Sequence, residues 1–196
     1  DKPGIHVAAV QRRHYPYGTA AAHAIGYLNE VSADELKTRK EEGYQSGDTI
    51  GRTGLERQWE PYLRGHKGFE KVVVNRRGLR RTDVRIADLV TDGPISESPM
   101  PGNNVILTLD LDVQRIVERA LRGVHSAAAV VIDIETGRIL AIASKPAFDP
   151  NMMSGGGSEA SLARVLSDRL RPLRDKALSD TFNPGSTFKA ITALAG

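Results

Sequence analysis

At 196 residues and 21.3 kDa, with 40% hydrophobic and 26% charged residues, the chain has the composition of a globular protein of one or two domains, which excludes wholesale disorder, collagen and coiled coil. The absence of cysteine excludes a disulfide framework, a cysteine nucleophile and a thiolate zinc site, and fits an oxidising compartment. The 27 Lys and Arg against 24 Asp and Glu leave a net charge of +3, a weak pointer to an anionic partner, while the longest apolar run, Ala127–Ile132, is far too short to span a bilayer.

Residues 1–99 are rich in glycine and charge with short apolar stretches, the pattern of an irregular α+β module. Ser32 followed three residues later by Glu35 is a capping box, predicting a short helix that runs to about Glu42 and is broken at Gly43. Leu55, Trp59 and Leu63, spaced four and four after Gly51-Arg52-Thr53-Gly54, predict a second helix with one apolar face. Val72, Val73 and Val74, then Arg76-Arg77-Gly78, then residues 79–86 read as a hairpin; its basic tip is more simply a solvated turn than a binding patch. Residues 91–102, with three prolines and two glycines, read as a linker to a second domain.

Residues 105–109 are a short β-type stretch. After Asp110, the residues Val113, Ile116, Val117, Ala120, Leu121 and Val124 recur at three and four, predicting an amphipathic helix with an aspartate start signal. Residues 127–134 and 138–144, joined by Glu135-Thr136-Gly137, predict an antiparallel hairpin in the middle of a sheet, covered by helices on at least one face. Residues 145–158, with Pro146, Pro150 and Gly155-Gly156-Gly157, read as a mobile loop; the glycines lack the Gly-Lys-Ser or Gly-Lys-Thr of a phosphate-binding loop.

Five histidines, His6, His14, His23, His66 and His125, form no metal-ligand spacing, so no metal or cofactor is expected; His14 and His23 are read as packing residues of the first module. The informative stretch is Asn183-Pro184-Gly185-Ser186-Thr187-Phe188-Lys189. Pro184 and Gly185 place a helix start at about Ser186, and three residues along a helix return to the same face, bringing the Lys189 amine within reach of the Ser186 hydroxyl. A serine hydroxyl must lose its proton as it attacks, and a lysine takes that proton only when desolvation or nearby positive charge leaves some of its amine neutral. Ser-x-x-Lys by itself is equally a helix cap beside a surface lysine.

The wider stretch Pro184-Gly185-Ser186-Thr187-Phe188-Lys189 resembles the acylation motif of the penicillin-binding proteins, and the resemblance covers nearly the whole chain. Arg13-His14-Tyr15-Pro16-Tyr17-Gly18, Ala22-His23-Ala24-Ile25-Gly26-Tyr27, Gly51-Arg52-Thr53-Gly54-Leu55-Glu56 and Leu63-Arg64-Gly65 are similar to the pedestal of class B members. Leu107-Thr108-Leu109-Asp110 followed by Gln114, then Ala129-Val130-Val131 and Thr136-Gly137-Arg138-Ile139-Leu140-Ala141, resemble the opening of their transpeptidase domain. Gly26-Tyr27 followed by Val31-Ser32-Ala33-Asp34-Glu35-Leu36 looks more like the elongation branch than the septal one.

The resemblance implies an α+β chain: a dimerisation-type pedestal over residues 1–99, then the N-terminal portion of a serine β-lactamase/transpeptidase-like domain over residues 100–196. It implies Ser186 as the nucleophile and Lys189 as its base, with no cofactor. The implied partners are D-Ala-D-Ala stem peptides of peptidoglycan, β-lactams as covalent inhibitors, a glycan polymerase and rod-shape scaffold proteins. The implied setting is extracytoplasmic, with an N-terminal membrane anchor that precedes these residues and no nucleic-acid partner. Neither Ser-x-Asn after Lys189 nor Lys-Thr-Gly anywhere occurs in the 196 residues, so the chain is expected to be truncated just after Ser-x-x-Lys and catalytically silent as it stands. The competing reading is a non-catalytic pedestal that docks or activates a cell-wall polymerase. Asp175, where the family usually has Asn-Arg-Ala, and Phe182-Asn183, where Tyr-Pro is commoner, are smaller departures.

Overall fold

The computed structural model describes residues 12–81, 83, 85 and 93–195. In chain order, α1 (Ala22–Ile25), β1 (Leu28–Glu30), α2 (Ala33–Thr38), β2 (Thr49–Gly51) and α3 (Gly54–Gln58) precede α4 (Glu60–Leu63), β3 (Phe69–Glu70) and β4 (Ser96–Glu97). The rest of the chain carries α5 (Leu111–Ala120), β5 (Ala127–Ile132), β6 (Ile139–Lys145), α6 (Glu159–Ser167), α7 (Lys176–Ser179) and α8 (Lys189–Ala195). These elements gather into two compact units, one of residues up to Gln58 with those from Leu107 onward, the other Trp59–Ile106. His6, part of the 79–86 strand and the start of the 91–102 linker lie outside the described residues.

In the first unit the capping box forms as expected. Ser32 Oγ accepts from the Glu35 N–H at 3.3 Å and the Glu35 carboxylate accepts from the Ser32 N–H at 2.9 Å, satisfying two N–H groups at the helix start. The α-helix stops at Thr38, and a 3-10 turn over Lys40–Glu42 carries the chain to Gly43, whose φ of +77° ends it. Arg52 holds the same carboxylate with a bidentate fork at 2.5 and 3.1 Å, and this contact, with the Ser32 donors, lowers the Glu35 pKa to about 2. β1 and β2 pair antiparallel above a small core of Val31, Tyr44 and Ile50.

Two glycines are required by close backbone approach. A Cβ on Gly26, at φ +84°, would fall 1.9 Å from the Thr53 carbonyl oxygen, and one on Gly51 would fall 2.0 Å from that of Glu56. Glu56 is buried and fully engaged: Arg13 Nε approaches it at 2.9 Å, and the Tyr15 hydroxyl donates to it at 3.3 Å while accepting from the Leu28 N–H. Burial first, then the Glu56 charge, raises the Tyr15 pKa to about 12.

Residues 12–58 share a core with residues beyond 107, so the compact units follow a different line from a sequence division at residue 99. Ala22, Phe148 and Met153 pack together, with Tyr27, Leu162, Val165 and Leu173 against them. His23 stands edge-on to Phe148 at 5.1 Å and its Nε2 donates to the Pro172 carbonyl at 2.6 Å, so it packs on the later part of the chain rather than within the first module; His14 is exposed. Asn151 brackets Tyr15, accepting from its N–H and donating to its C=O, both at 2.9 Å. Residues 145–158, expected as a mobile loop, instead enter a helical turn at Pro150 and bury Phe148, Pro150 and Met153.

β5 and β6 form the expected hairpin, with a register irregularity at Val131/Ile132 and a turn held by Asp133, which accepts from the Thr136 hydroxyl at 2.5 Å and the Glu135 N–H at 3.1 Å. α5 and α7 pack on it. The hairpin is a two-stranded sheet among the described residues, and Val130, Ile132 and Ile134 stay exposed. Asp110 caps α5 through the N–H groups of Asp112 and Val113, as its position predicts. Residues 105–109 are not a strand: only Thr108 Oγ1, to the Ile139 carbonyl, and the Asp110 N–H, to the Leu140 carbonyl, reach β6.

The second unit holds α4, the short β3–β4 pair and the 75–79 turn. Asn75 Oδ1 accepts from the N–H groups of Arg77 and Leu79, Val74 bridges Arg80, and Arg76 and Arg77 are exposed at the tip as expected. The single helix expected over Leu55, Trp59 and Leu63 is two, with Trp59 at φ −111° between them. Pro61 is the cause: it has no N–H to offer the Arg57 carbonyl, and proline is accommodated only in a helix's first turn.

Candidate active site

Ser186 and Lys189 lie on one turn. Pro184, at φ −66°, and Gly185, at φ +55°, lead into a 3-10 turn over Gly185–Phe188, and α8 begins at Lys189. The Lys189 N–H donates to the Ser186 carbonyl, and Thr187 returns both its hydroxyl and its N–H to the Pro184 carbonyl, which fixes the entry to the turn. Because a 3-10 turn has about three residues per turn, positions 186 and 189 stand one above the other, closer in rotation than in an α-helix.

Both residues are exposed, and no side-chain hydrogen bond joins Ser186 to Lys189 among the described residues. The turn therefore presents an alcohol and an amine on one open face. Phe182, Phe188, Ile191 and Leu194, in the same stretch of chain, are exposed as well.

The segment before the turn accounts for one sequence departure. Asp175 caps α7, its Oδ1 accepting from the N–H groups of Ala177 at 3.0 Å and Leu178 at 3.3 Å. Asparagine caps equally well, so an aspartate there preserves the local structure. Next to it, the Lys176 N–H donates to Ser144 Oγ at 2.8 Å and its amine to the Arg171 carbonyl, with burial pushing its pKa down.

Gln114 stands on α5, four residues after Asp110. In the structure it is almost wholly buried and behaves as a strand partner: Nε2 donates to the Ile142 carbonyl and Oε1 accepts from the Ile142 N–H, both at 2.9 Å. A lone glutamine on the apolar side of a helix was the available signal. A cleft of about 750 Å³ lies between Thr53–Gln58, Leu107–Leu109 and Leu173–Ser179, and it includes neither Ser186 nor Lys189. Among the described residues no group of His, Asp and Glu could hold a metal, and no helix is long and apolar enough to cross a membrane.

Residues 1–107 match the penicillin-binding protein dimerisation domain, and residues 127–196 match the penicillin binding protein transpeptidase domain. The peptidoglycan D,D-transpeptidase MrdA of Escherichia coli K12 is 36% identical over 197 residues, covering 98% of this chain and 29% of that protein. The crystal structure of Pseudomonas aeruginosa PBP2 in complex with WCK 5153 superposes with a TM-score of 0.71 at 31% identity, over 94% of this chain and 34% of that one. The complex between PBP2 and MreC from Helicobacter pylori gives a TM-score of 0.72 at 26% identity, over 94% and 32%. The chain thus spans about a third or less of the relatives it resembles.

Proposed function

The chain belongs to the penicillin-binding proteins, and on that premise we propose that a protein carrying these residues is a peptidoglycan D,D-transpeptidase with Ser186 as nucleophile and Lys189 as its base. The supporting observation is the shared turn, which sets an exposed hydroxyl and an exposed amine one above the other at the entry to a helix. Ser186 Oγ attacks the carbonyl carbon between two terminal D-alanines of a stem peptide, and its proton passes to Lys189. The amide C–N bond breaks, the leaving D-alanine takes up a proton, and the stem remains as a serine ester. An amine of a neighbouring stem attacks that ester, the C–O bond to Ser186 breaks as the crosslink amide forms, and a proton of the attacking amine restores the Ser186 hydroxyl. A β-lactam opens its ring amide by the same attack, and the acyl group stays on the serine.

In this reading residues 1–99 act as the pedestal and residues 100–196 as the first portion of the transpeptidase domain. The reading includes an extracytoplasmic role in wall elongation, with a membrane anchor, a glycan polymerase and a rod-shape scaffold as partners; the similarity to the peptidoglycan D,D-transpeptidase MrdA supports the cell-wall role, and the neighbouring Helicobacter pylori complex of PBP2 with MreC supports the scaffold. A Ser-x-Asn relay and a Lys-Thr-Gly strand complete the site in a longer chain, so the 196 residues alone are expected to stay unlabelled by a fluorescent penicillin. The longer protein is expected to label stoichiometrically, and Ser186→Ala to abolish the label. Labelling that survives Ser186→Ala contradicts the assignment. A longer protein that never labels yet binds the polymerase supports the docking-module reading instead.

A further inference from the structure

The net positive charge has a local home on α5. Arg115 and Arg119 of α5, and Arg122 of the 3-10 turn Leu121–Gly123 that follows it, recur at four and three residues, a spacing that returns to about one face and extends about 10 Å along it. All three are exposed and all three line a cleft of about 430 Å³, whose lining also includes Thr19, Ala21 and Ala22 and, from β6, Ala143 and Ser144. None of the three pairs with a carboxylate among the described residues; Arg115 is held over the Tyr17 ring, 5.4 Å from its centroid.

Two further groups would ordinarily oppose an anion here, and both are occupied. The carbonyl end of α5 is closed by Lys145, whose Nζ donates to the carbonyls of Leu121 at 2.7 Å and Arg122 at 2.6 Å. Glu118, the carboxylate in the lining, turns its Oε1 to the Ala21 N–H at 2.9 Å and to Gln114 Nε2 at 2.7 Å rather than to an arginine. The lining therefore carries Arg115, Arg119, Arg122 and Lys145 against Glu118, four cations and one anion. Guanidinium forks match phosphate oxygens bidentately, and a row of three along one face suits a ligand with two linked anionic groups better than a single one.

We propose that this cleft is a binding site for a diphosphate group, taken either from a soluble diphosphate or from a lipid headgroup. Arg119 and Arg122 grip the two phosphoryl units, and Arg115, held over Tyr17, adds a third cation beside them. The site is separate from the Ser186 turn and its occupancy does not depend on acylation.

Titration of the 196-residue chain with inorganic pyrophosphate tests this. The expected result is saturable binding that is at least tenfold tighter than inorganic phosphate at equal ionic strength. Arg119→Gln with Arg122→Gln should weaken it at least tenfold, while an unchanged circular dichroism spectrum shows that the exposed helix positions still fold. Co-sedimentation with phosphatidylcholine vesicles, with and without a diphosphate-headgroup lipid, identifies the source: retention only on the diphosphate vesicles assigns the lipid, and pyrophosphate binding without retention assigns the soluble ligand. No saturable pyrophosphate binding, equal affinity for phosphate, or an unaltered affinity in the double variant overturns the proposal.

Discussion

Gln114 shows how much a single polar side chain contributes when it is sealed inside. Its amide satisfies both backbone groups of Ile142 and one oxygen of Glu118, so a leucine of similar size would leave a buried N–H and a buried C=O without partners. Gln114→Leu should destabilise the fold by about 3 kcal/mol, seen as a lower urea midpoint at unchanged slope. His23 acts in the opposite sense. Its Nε2 donates to the Pro172 carbonyl, which requires the neutral ring to carry its proton there, and burial lowers its pKa from 6.5 despite that bond and the charges of Asp175 and Glu118, with Lys176 adding to the fall. Below pH 6.5 the unfolded chain takes up a proton that the folded chain resists, so stability is present above that value and is lost as the pH falls toward the lower folded one. His23→Gln keeps a donor and removes the titration; denaturation midpoints between pH 7 and pH 5 should fall less steeply in the variant than in the parent, and equal slopes contradict this role.

At the scale of elements, features written in a few neighbouring residues were legible. The Ser32–Glu35 box, the Asp110 cap and the Glu135-Thr136-Gly137 turn each depend on contacts within about four residues, and each appears where the sequence puts it. Asp175→Ala should cost about 1 kcal/mol through loss of the α7 cap, while Asp175→Asn should change little, and thermal melts of the two variants separate the cap from any wider role. Features that depend on distant partners were not legible. Residues 105–109 have strand chemistry but, among the described residues, reach β6 through a single bond from Thr108, and the Pro150 turn is ordered by Tyr15, more than a hundred residues earlier, through Asn151. Leu55, Trp59 and Leu63 misled because periodicity outweighed Pro61, whose missing N–H divides the helix.

For the whole molecule, the pedestal-type segment up to Gln58 is built into the same compact unit as the beginning of the transpeptidase segment, through the Ala22–Phe148–Met153 core, the Asn151 bracket and the His23 contact. That Ser186 and Lys189 share one turn follows from sequence alone, because three residues of local chain suffice to bring them there, whereas nothing in a local pattern says what lies over the turn or beside the exposed Phe182, Phe188, Ile191 and Leu194. The Ser186 assignment is most directly tested by peptide mass spectrometry after a longer protein with these residues and the rest of the transpeptidase domain reacts with a β-lactam. The predicted result is one acyl adduct on the peptide holding Ser186, absent in Ser186→Ala and strongly slowed in Lys189→Ala. An adduct on another residue, or one that persists in Ser186→Ala, would contradict it.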